Sequence, residues 1–324
     1  MLKVHFLNVG HGDCTVIEHP SGRITVIDIN NGSELDPSTE QELLSRYHVD
    51  GSRADIYRAL GYGIGPLLEQ AGYDIKLTNP IEFLTTGFRG KSIWRYVQTH
   101  PDMDHMRGIS VLDREFSIDN IWDVEHSKHI TDFLRDSDRD DWAAYQRLRS
   151  GQNGTKVMNL MRGHAGKYWS EGDSPVDIGD GIEILAPTPQ LLRDAGDNSN
   201  CMSYVLRLTC AGIKIILGGD ADEAVWEDIY AHYGADLKCH VLKASHHGRD
   251  SGYHQPSVKA MAPQYTIVSV GSKPATDASN KYRQYSSDGV WTTRWRGNIT
   301  LTVNPDGSGN LDSEYQREDS NAPA

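Results

Sequence analysis

Three apolar stretches of this 324-residue chain each end abruptly in histidine and aspartate, and that repetition constrains the fold more than any other feature. Ile93-Trp94-Arg95-Tyr96-Val97 reads as a strand and runs into Thr99-His100-Pro101-Asp102-Met103-Asp104-His105. Ile213-Lys214-Ile215-Ile216-Leu217 runs into Gly218-Gly219-Asp220-Ala221-Asp222, and His240-Val241-Leu242-Lys243-Ala244 into Ser245-His246-His247-Gly248. Alternate residues of a strand share a face, so a strand end followed by a tight turn can aim His100, Asp102, Asp104 and His105 inward together. Imidazole and carboxylate groups suit borderline and hard divalent ions such as Zn²⁺ or Mn²⁺. Taken singly, the other two stretches have ordinary readings. Asp220 precedes a helix, and aspartate N-caps helices; two adjacent histidines serve packing as readily as chemistry. Taken together, three strands that end this way describe a buried site assembled at one edge of a sheet.

The rest of the chain alternates strands and helices. Residues 4–9, 14–18 and 23–29 read as a meander with turns at Gly10 and at Pro20-Ser21-Gly22, with no helix between them. Residues 33–92 read as a mostly helical insertion, in which Ser38 with Gln41 and Thr39 with Glu42 fit a capping box. A second insertion, polar and also mostly helical, spans about 126–175 around Trp142, Tyr145 and Leu148. Strands follow near 120–123, 182–185, 204–208 and 265–270, with the last at 299–303, and a helix runs from Asp222 to Tyr233. The expectation is a single layered α/β domain over residues 1–312 with mixed sheets, followed by a frayed polar tail at 313–324.

Apolar residues make up 38% of the chain, enough for a large core, and 45 acidic against 32 basic residues leave a net charge of −13. That balance argues against a general nucleic-acid coat, which needs a basic surface to displace counterions. It leaves room for a metal-filled cleft, because a bound cation can dominate the local field. Cys14, Cys201, Cys210 and Cys239 form no CxxC pair, which suggests thiols in a reducing compartment and no disulfide framework. The N-terminus turns polar too soon for a signal peptide, and no apolar run approaches the ~20 residues that span a bilayer. A cytoplasmic protein with no membrane partner is expected.

With these residues in view, the chain resembles the metallo-β-lactamase superfamily, whose main motif HxHxDH reads here His100-x-Asp102-x-Asp104-His105. The aspartate at the second position is similar to the branch containing the C-terminal hydrolase domain of DNA-uptake competence proteins and the phosphorylcholine esterases. That branch has VGxGD after its first strand, here Val9-Gly10-His11-Gly12-Asp13, and an Asn three residues before a Ser, here Asn200 and Ser203. It has TGD, here Gly218-Gly219-Asp220, and HHG, here His246-His247-Gly248. The motifs keep the family's order across residues 4–303 and leave the two insertions uncovered.

The resemblance implies a four-layer αβ/βα sandwich with two divalent metal ions, Zn or Mn, between its sheets. By position, His100 and Asp102 hold one ion, Asp104 and His105 the other, Asp220 bridges them, and one of His246 or His247 completes the shell. Asp104, Asp220 and His247 are thus the catalytic candidates. The family's third-motif histidine is not evident, and Asn200 stands nearby as a candidate in its place. The branch continues DHxGG where this chain has Asp104-His105-Met106-Arg107-Gly108, so Arg107 either meets an anionic substrate or lies on the outer face of the next helix. Arg249 and Ser251 are candidates for phosphate contact, and Asp13 and Asp28 for orienting the histidines. Asp222 either caps the following helix or assists a leaving group. The implied activity is phosphodiester hydrolysis by a hydroxide held between two ions, on a small phosphodiester or a short single-stranded nucleic acid. Hydrolysis of a lactone, amide or thioester, and a non-catalytic metal-binding regulatory role, are the alternatives. Asp102 in place of histidine weighs against the first, and the intact ligand positions weigh against the second.

Overall fold

The computed structural model describes residues 1–31, 35–133, 135–152, 154–170 and 179–316. Its strands are β1 (Leu2–Phe6), β2 (Thr15–Glu18), β3 (Ile24–Ile27), β4 (Ile93–Val97), β5 (Ile118–Trp122), β6 (Lys156–Met158), β7 (Ile182–Ala186), β8 (Val205–Cys210), β9 (Ile213–Leu217), β10 (Val241–Lys243), β11 (Tyr265–Val268), β12 (Gly289–Thr292), β13 (Ile299–Val303) and β14 (Gly309–Ser313). They form an 8-stranded sheet, β14-β13-β1-β2-β3-β4-β5-β6, and a 6-stranded sheet, β12-β11-β10-β9-β8-β7. The helices are α1 (Pro37–Arg46), α2 (Gly51–Ala59), α3 (Gly65–Gln70), α4 (Pro80–Gly87), α5 (Ile109–Glu115), α6 (Asp136–Arg149), α7 (Pro189–Asp194), α8 (Glu223–Tyr233), α9 (Gln255–Met261), α10 (Ser279–Arg283) and α11 (Thr293–Arg296).

Period-two alternation explains the layering. Leu2, Val4 and Phe6 of β1 meet Leu206 and Leu208 of β8 and Ile215 and Leu217 of β9 in one core between the sheets. The opposite face of the first sheet carries Val16, Val26 and Tyr96, covered by Leu84 of α4, Leu112 of α5 and Leu148 of α6. The opposite face of the second sheet carries Val205, Ile216 and Leu242, covered by Val225 and Ile229 of α8 and Met261 of α9. Helix, sheet, sheet, helix is the expected four-layer sandwich. None of the described helices is long and apolar enough to cross a membrane.

Local chemistry departs from the sequence reading in three places. The cap of α1 is Asp36, which accepts from the backbone N–H groups of Ser38 and Thr39, so those two residues lie inside the first turn and are not its caps. Within the second insertion, residues 156–158 form β6, which extends the first sheet through parallel pairing with β5. Residues 171–175 of that insertion lie outside the described residues. Finally, β13 is not the last strand. β14 pairs with it antiparallel, and the Tyr315 N–H donates to the Arg296 carbonyl at 3.0 Å, so the chain expected to fray from 313 is still bound there. Residues 317–324 lie outside the described residues. Helices α1 to α3 build their own small core, where Leu43, Ala54, Leu67 and Leu68 pack with Trp295.

A buried ionic cluster joins the sheets at the edge where β3 and β7 begin. Arg95 donates to Asp180 at 3.0 Å and to the Thr25 hydroxyl at 2.8 Å, and Asp180 also accepts from Arg23 and Ser21. Removing one partner of a buried pair leaves an uncompensated charge. Asp180→Ala should therefore lower the unfolding free energy by about 3–5 kcal/mol in urea titrations, while the apolar double replacement Arg95→Met/Asp180→Leu recovers most of it.

Candidate metal centre

The strands that deliver the candidate ligands run parallel. β3 pairs with β4 in one sheet and β9 with β10 in the other, so all four C-terminal ends open at the same edge. Parallel sheets present ligand sites at that edge. Beyond β4 the chain makes a 3₁₀ turn, Met103–His105, which brings His105 back beside His100, with ring centroids 4.2 Å apart. Beyond β9, Gly219 holds φ +51°, and a Cβ there would lie 2.9 Å from the Tyr204 carbonyl oxygen, so only glycine lets Asp220 turn inward. Beyond β10, His246 and His247 both take positive φ, 49° and 53°, a backbone region costly for most residues and more accessible to histidine.

His105 Nε2 lies 3.3 Å from Asp220 Oδ1, and His247 Nε2 lies 3.5 Å from Asp220 Oδ2 and 3.4 Å from Asp104 Oδ2. His100 Nε2 lies 4.0 Å from Asp220 Oδ2 and 3.8 Å from Asp102 Oδ2. Two donors bonded to one tetrahedral ion at 2.0–2.2 Å sit about 3.3–3.6 Å apart, so the separations of His105 and His247 from Asp220 and of His247 from Asp104 suit a shared cation, while those of His100 are wider. The Nε2 atoms of His100, His105 and His247 and the Oδ1 atom of Asp220 are buried and have no hydrogen-bond partner. Orphaned buried polar atoms are rare, because each forfeits its hydration.

The opposite ring nitrogens are all engaged. His105 Nδ1–H donates to Asp28 at 2.7 Å, and His247 Nδ1–H donates to the Ser269 carbonyl at 3.1 Å. His100 Nδ1 pairs with the Thr99 hydroxyl at 3.0 Å, which in turn donates to Asp28 at 2.7 Å. Acceptor-only partners fix the proton on Nδ1 of His105 and His247 and aim Nε2 at the cluster. Asp13 pairs with Lys243 at 2.5 Å across the two sheets, directly beneath.

Burial alone would keep these groups neutral, and for His100 burial and the neighbouring His105 do push the imidazole down, but the others charge one another. For Asp220, burial raises the pKa, but His105, His247 and His100 more than offset it and hold the carboxyl well below its ordinary range. For His105, burial works the other way, and Asp220, Asp28 and Asp104 overcome it and raise the imidazole well above its usual value. Asp104 is likewise held low by His105 and His247 against its burial. Ligands must be deprotonated to hold a divalent cation, so its uptake would release protons from these imidazoles.

Other residues expected at the site are placed elsewhere or differently. Of the adjacent histidines, His247 enters the cluster, while His246 Nδ1 pairs with the Ser251 hydroxyl at 2.8 Å. Arg107 donates from Nε to Asp138 of α6 at 2.9 Å, so its guanidinium is engaged there. Asp222 caps α8, accepting from the Val225 N–H, and also accepts from Asn198 and Cys201. Asn200 is half-buried in the 3₁₀ turn Ser199–Met202. Arg249 reaches His11 Nε2 at 3.2 Å. Three residues escaped the sequence reading: His11, within ligand range of Asp104 and His247, and Lys128 and Ser199, both bonded to Asp102. His11 stood inside the Val9–Asp13 motif and could have been flagged; Lys128 sat unmarked in a polar insertion.

The four layers, with the candidate ligands on loops at one edge, define this chain as a metallo-β-lactamase fold. No protein-family model matches it. A mutant of the CmlA β-hydroxylase superposes with a TM-score of 0.51 at 11% identity, covering 93% of this chain and 54% of the other, so this chain spans about half of that protein. The metallo-β-lactamase fold protein YhfI from Bacillus subtilis gives a TM-score of 0.41 at 9% identity, over 96% of this chain and all of that one (100%). In sequence, 92 residues are 29% identical to competence protein ComA of Neisseria gonorrhoeae, which is 28% of this chain and only 13% of that protein. At such identities the likeness is one of fold.

Asp138 is buried and Arg107 neutralises it, so Arg107→Ala should act on stability. A loss of about 1.5–3 kcal/mol is expected from the broken charged hydrogen bond, read as a lowered melting temperature.

Proposed function

We propose that the chain is a metal-dependent hydrolase that cleaves phosphodiesters in a nucleotide-sized or short single-stranded nucleic-acid substrate. The observation that carries this reading is the convergence of four buried, unpartnered donor atoms from two sheets: Nε2 of His100, His105 and His247, and Oδ1 of Asp220. In this reading His100 and Asp102 would hold one ion, Asp104, His105 and His247 the second, and Asp220 would serve both. Two divalent ions, Zn²⁺ or Mn²⁺, would supply an activated water near neutral pH and neutralise charge on the attacked phosphoryl group. The chain's own part is positional. Asp28 and Thr99 lock the two imidazoles of the main motif, and Ser269 locks that of His247. Arg249 contacts His11, a neighbour of Asp104 and His247, and its guanidinium would be the group to meet a phosphate oxygen.

A phosphodiester substrate is favoured by Asp102, whose carboxylate suits a harder ion than imidazole does. The net charge of −13 favours a short substrate over a long grip on duplex DNA.

The test is to strip the protein with chelator, reload it with Zn²⁺ or Mn²⁺, measure bound metal, and assay bis-p-nitrophenyl phosphate, dinucleotides and short oligonucleotides beside a lactone. Metal-dependent phosphodiester cleavage is expected, and His100→Ala should lose both metal and cleavage. Loss of metal without loss of cleavage, or cleavage of the lactone alone, would overturn the proposal. Asp28→Asn should weaken metal binding by about 10–100-fold, because the imidazoles lose their acceptor.

A further inference from the structure

The two halves of the centre are unequal. On one side the donors around Asp104 and His247 are plentiful: His11, Asp13 and Asp220 lie within ligand range of members of that pair, while His105 meets Asp220 at 3.3 Å and stands between the halves, since it also converges with His100. On the other side stand His100 and Asp102, and among the described residues Asp102 joins none of the convergent donor groups. Its Oδ1 is already taken. Lys128 Nζ donates to it at 2.5 Å and the Ser199 hydroxyl at 2.5 Å, and the ammonium also reaches Ser199 Oγ at 3.2 Å. Only Oδ2 remains, 3.8 Å from His100 Nε2.

Lys128 is not a loose surface lysine. Its backbone N–H donates to His126 Nδ1 at 3.1 Å, His126 Nε2 pairs with the Tyr145 hydroxyl at 2.7 Å, and that hydroxyl donates to buried Asp123 at 2.6 Å. The loop after β5 is thereby tied to α6, and the ammonium is fixed over Asp102.

We propose that Lys128 makes the two ion sites unequal: the ion at Asp104, His105, Asp220 and His247 binds tightly, and the ion at His100 and Asp102 binds weakly. This rests on the reading of the cluster as a dinuclear centre. Two physical effects act together. An ammonium bonded to the carboxylate repels a divalent ion seeking the same group, in a half-buried setting where such interactions are poorly screened. Lys128 and Ser199 also restrict Asp102 to one free oxygen, so it cannot grip an ion with both. Lys128 thus sets the concentration of free metal at which the centre changes from one ion to two.

The experiment is a titration of metal-free protein with Mn²⁺, followed by calorimetry and by the electron paramagnetic resonance signal of free and bound ion, with no turnover involved. The wild type should show two classes of site separated by at least about tenfold in affinity, ~1.4 kcal/mol. Lys128→Met should tighten the weaker site by about tenfold or more and leave the tighter one within about twofold, because only the weaker site faces the ammonium. Lys128→Arg, which keeps the charge, should retain the wild-type spacing. Ser199→Ala, which removes a neutral donor, should shift the weaker site far less than Lys128→Met. Thermal melts of the metal-free variants check that each is folded, and Lys128→Gln replaces the methionine variant if that one is not. Equal sites in the wild type, or a weaker site that Lys128→Met and Lys128→Gln fail to tighten, would overturn the inference and leave the dinuclear reading standing. A wild type that takes up no Mn²⁺ or Zn²⁺ would sink the dinuclear reading itself.

Discussion

One buried carboxylate organises the centre. Asp28 follows β3 at a left-handed φ of 55° and accepts three hydrogen bonds: from the Thr99 N–H at 2.8 Å, the Thr99 hydroxyl at 2.7 Å and His105 Nδ1 at 2.7 Å. Because the Thr99 oxygen also meets His100 Nδ1, Asp28 orients both imidazoles of the main motif, one directly and one at second hand. The position of Asp28 is itself dictated by sheet register. Ile27 pairs with Val97, and the Asp28 N–H donates to the Val97 carbonyl at 2.9 Å. A one-residue slip between β3 and β4 would send that carboxylate to the other face and release both rings.

What the sequence disclosed and what it hid follow from the range of each interaction. The clusters at 100–105, 220 and 246–247 were legible because strand, turn and ligand are contiguous, and the main-chain periodicity says where the strand stops. The choice between His246 and His247 was not legible. Adjacent residues share every local signal, and only two consecutive left-handed φ values separate one ring, inside the cluster, from the other, which turns to Ser251. Lys128 and Ser199 lie 26 and 97 residues from the Asp102 they bind, so no local pattern could join them. The same holds for β6 and β14, short edge strands whose residues carry little apolar alternation and are recruited by the neighbour they pair with. Asp36 shows the opposite failure: a capping pattern was present, but a better acceptor just upstream took the role.

The acid excess also changes meaning once partners are assigned. Asp13 meets Lys243, Asp123 meets Arg149, Asp138 meets Arg107 and Asp180 meets Arg95, so many buried acids are balanced in pairs and contribute little field at a distance. Asp28, Asp104 and Asp220 differ: their partners among the basic groups are imidazoles, whose charge depends on a proton. The net charge thus describes mainly the outer surface, while the sign of the potential inside the cleft is set by whatever cation or proton count the cluster holds.

The candidate donors come from both halves of the sandwich. The first sheet supplies His100, Asp104 and His105, and the second supplies Asp220 and His247. Among the described residues, three of the four convergent donor groups draw on both sheets, so an ion held at one of them would report that the halves have docked, and its binding energy would become folding energy. The far edge, closed by Arg95 and Asp180, does not share this dependence. A chelator would therefore act like a wedge at one end of a hinge, loosening the seam at the ligand edge while the opposite edge stays shut.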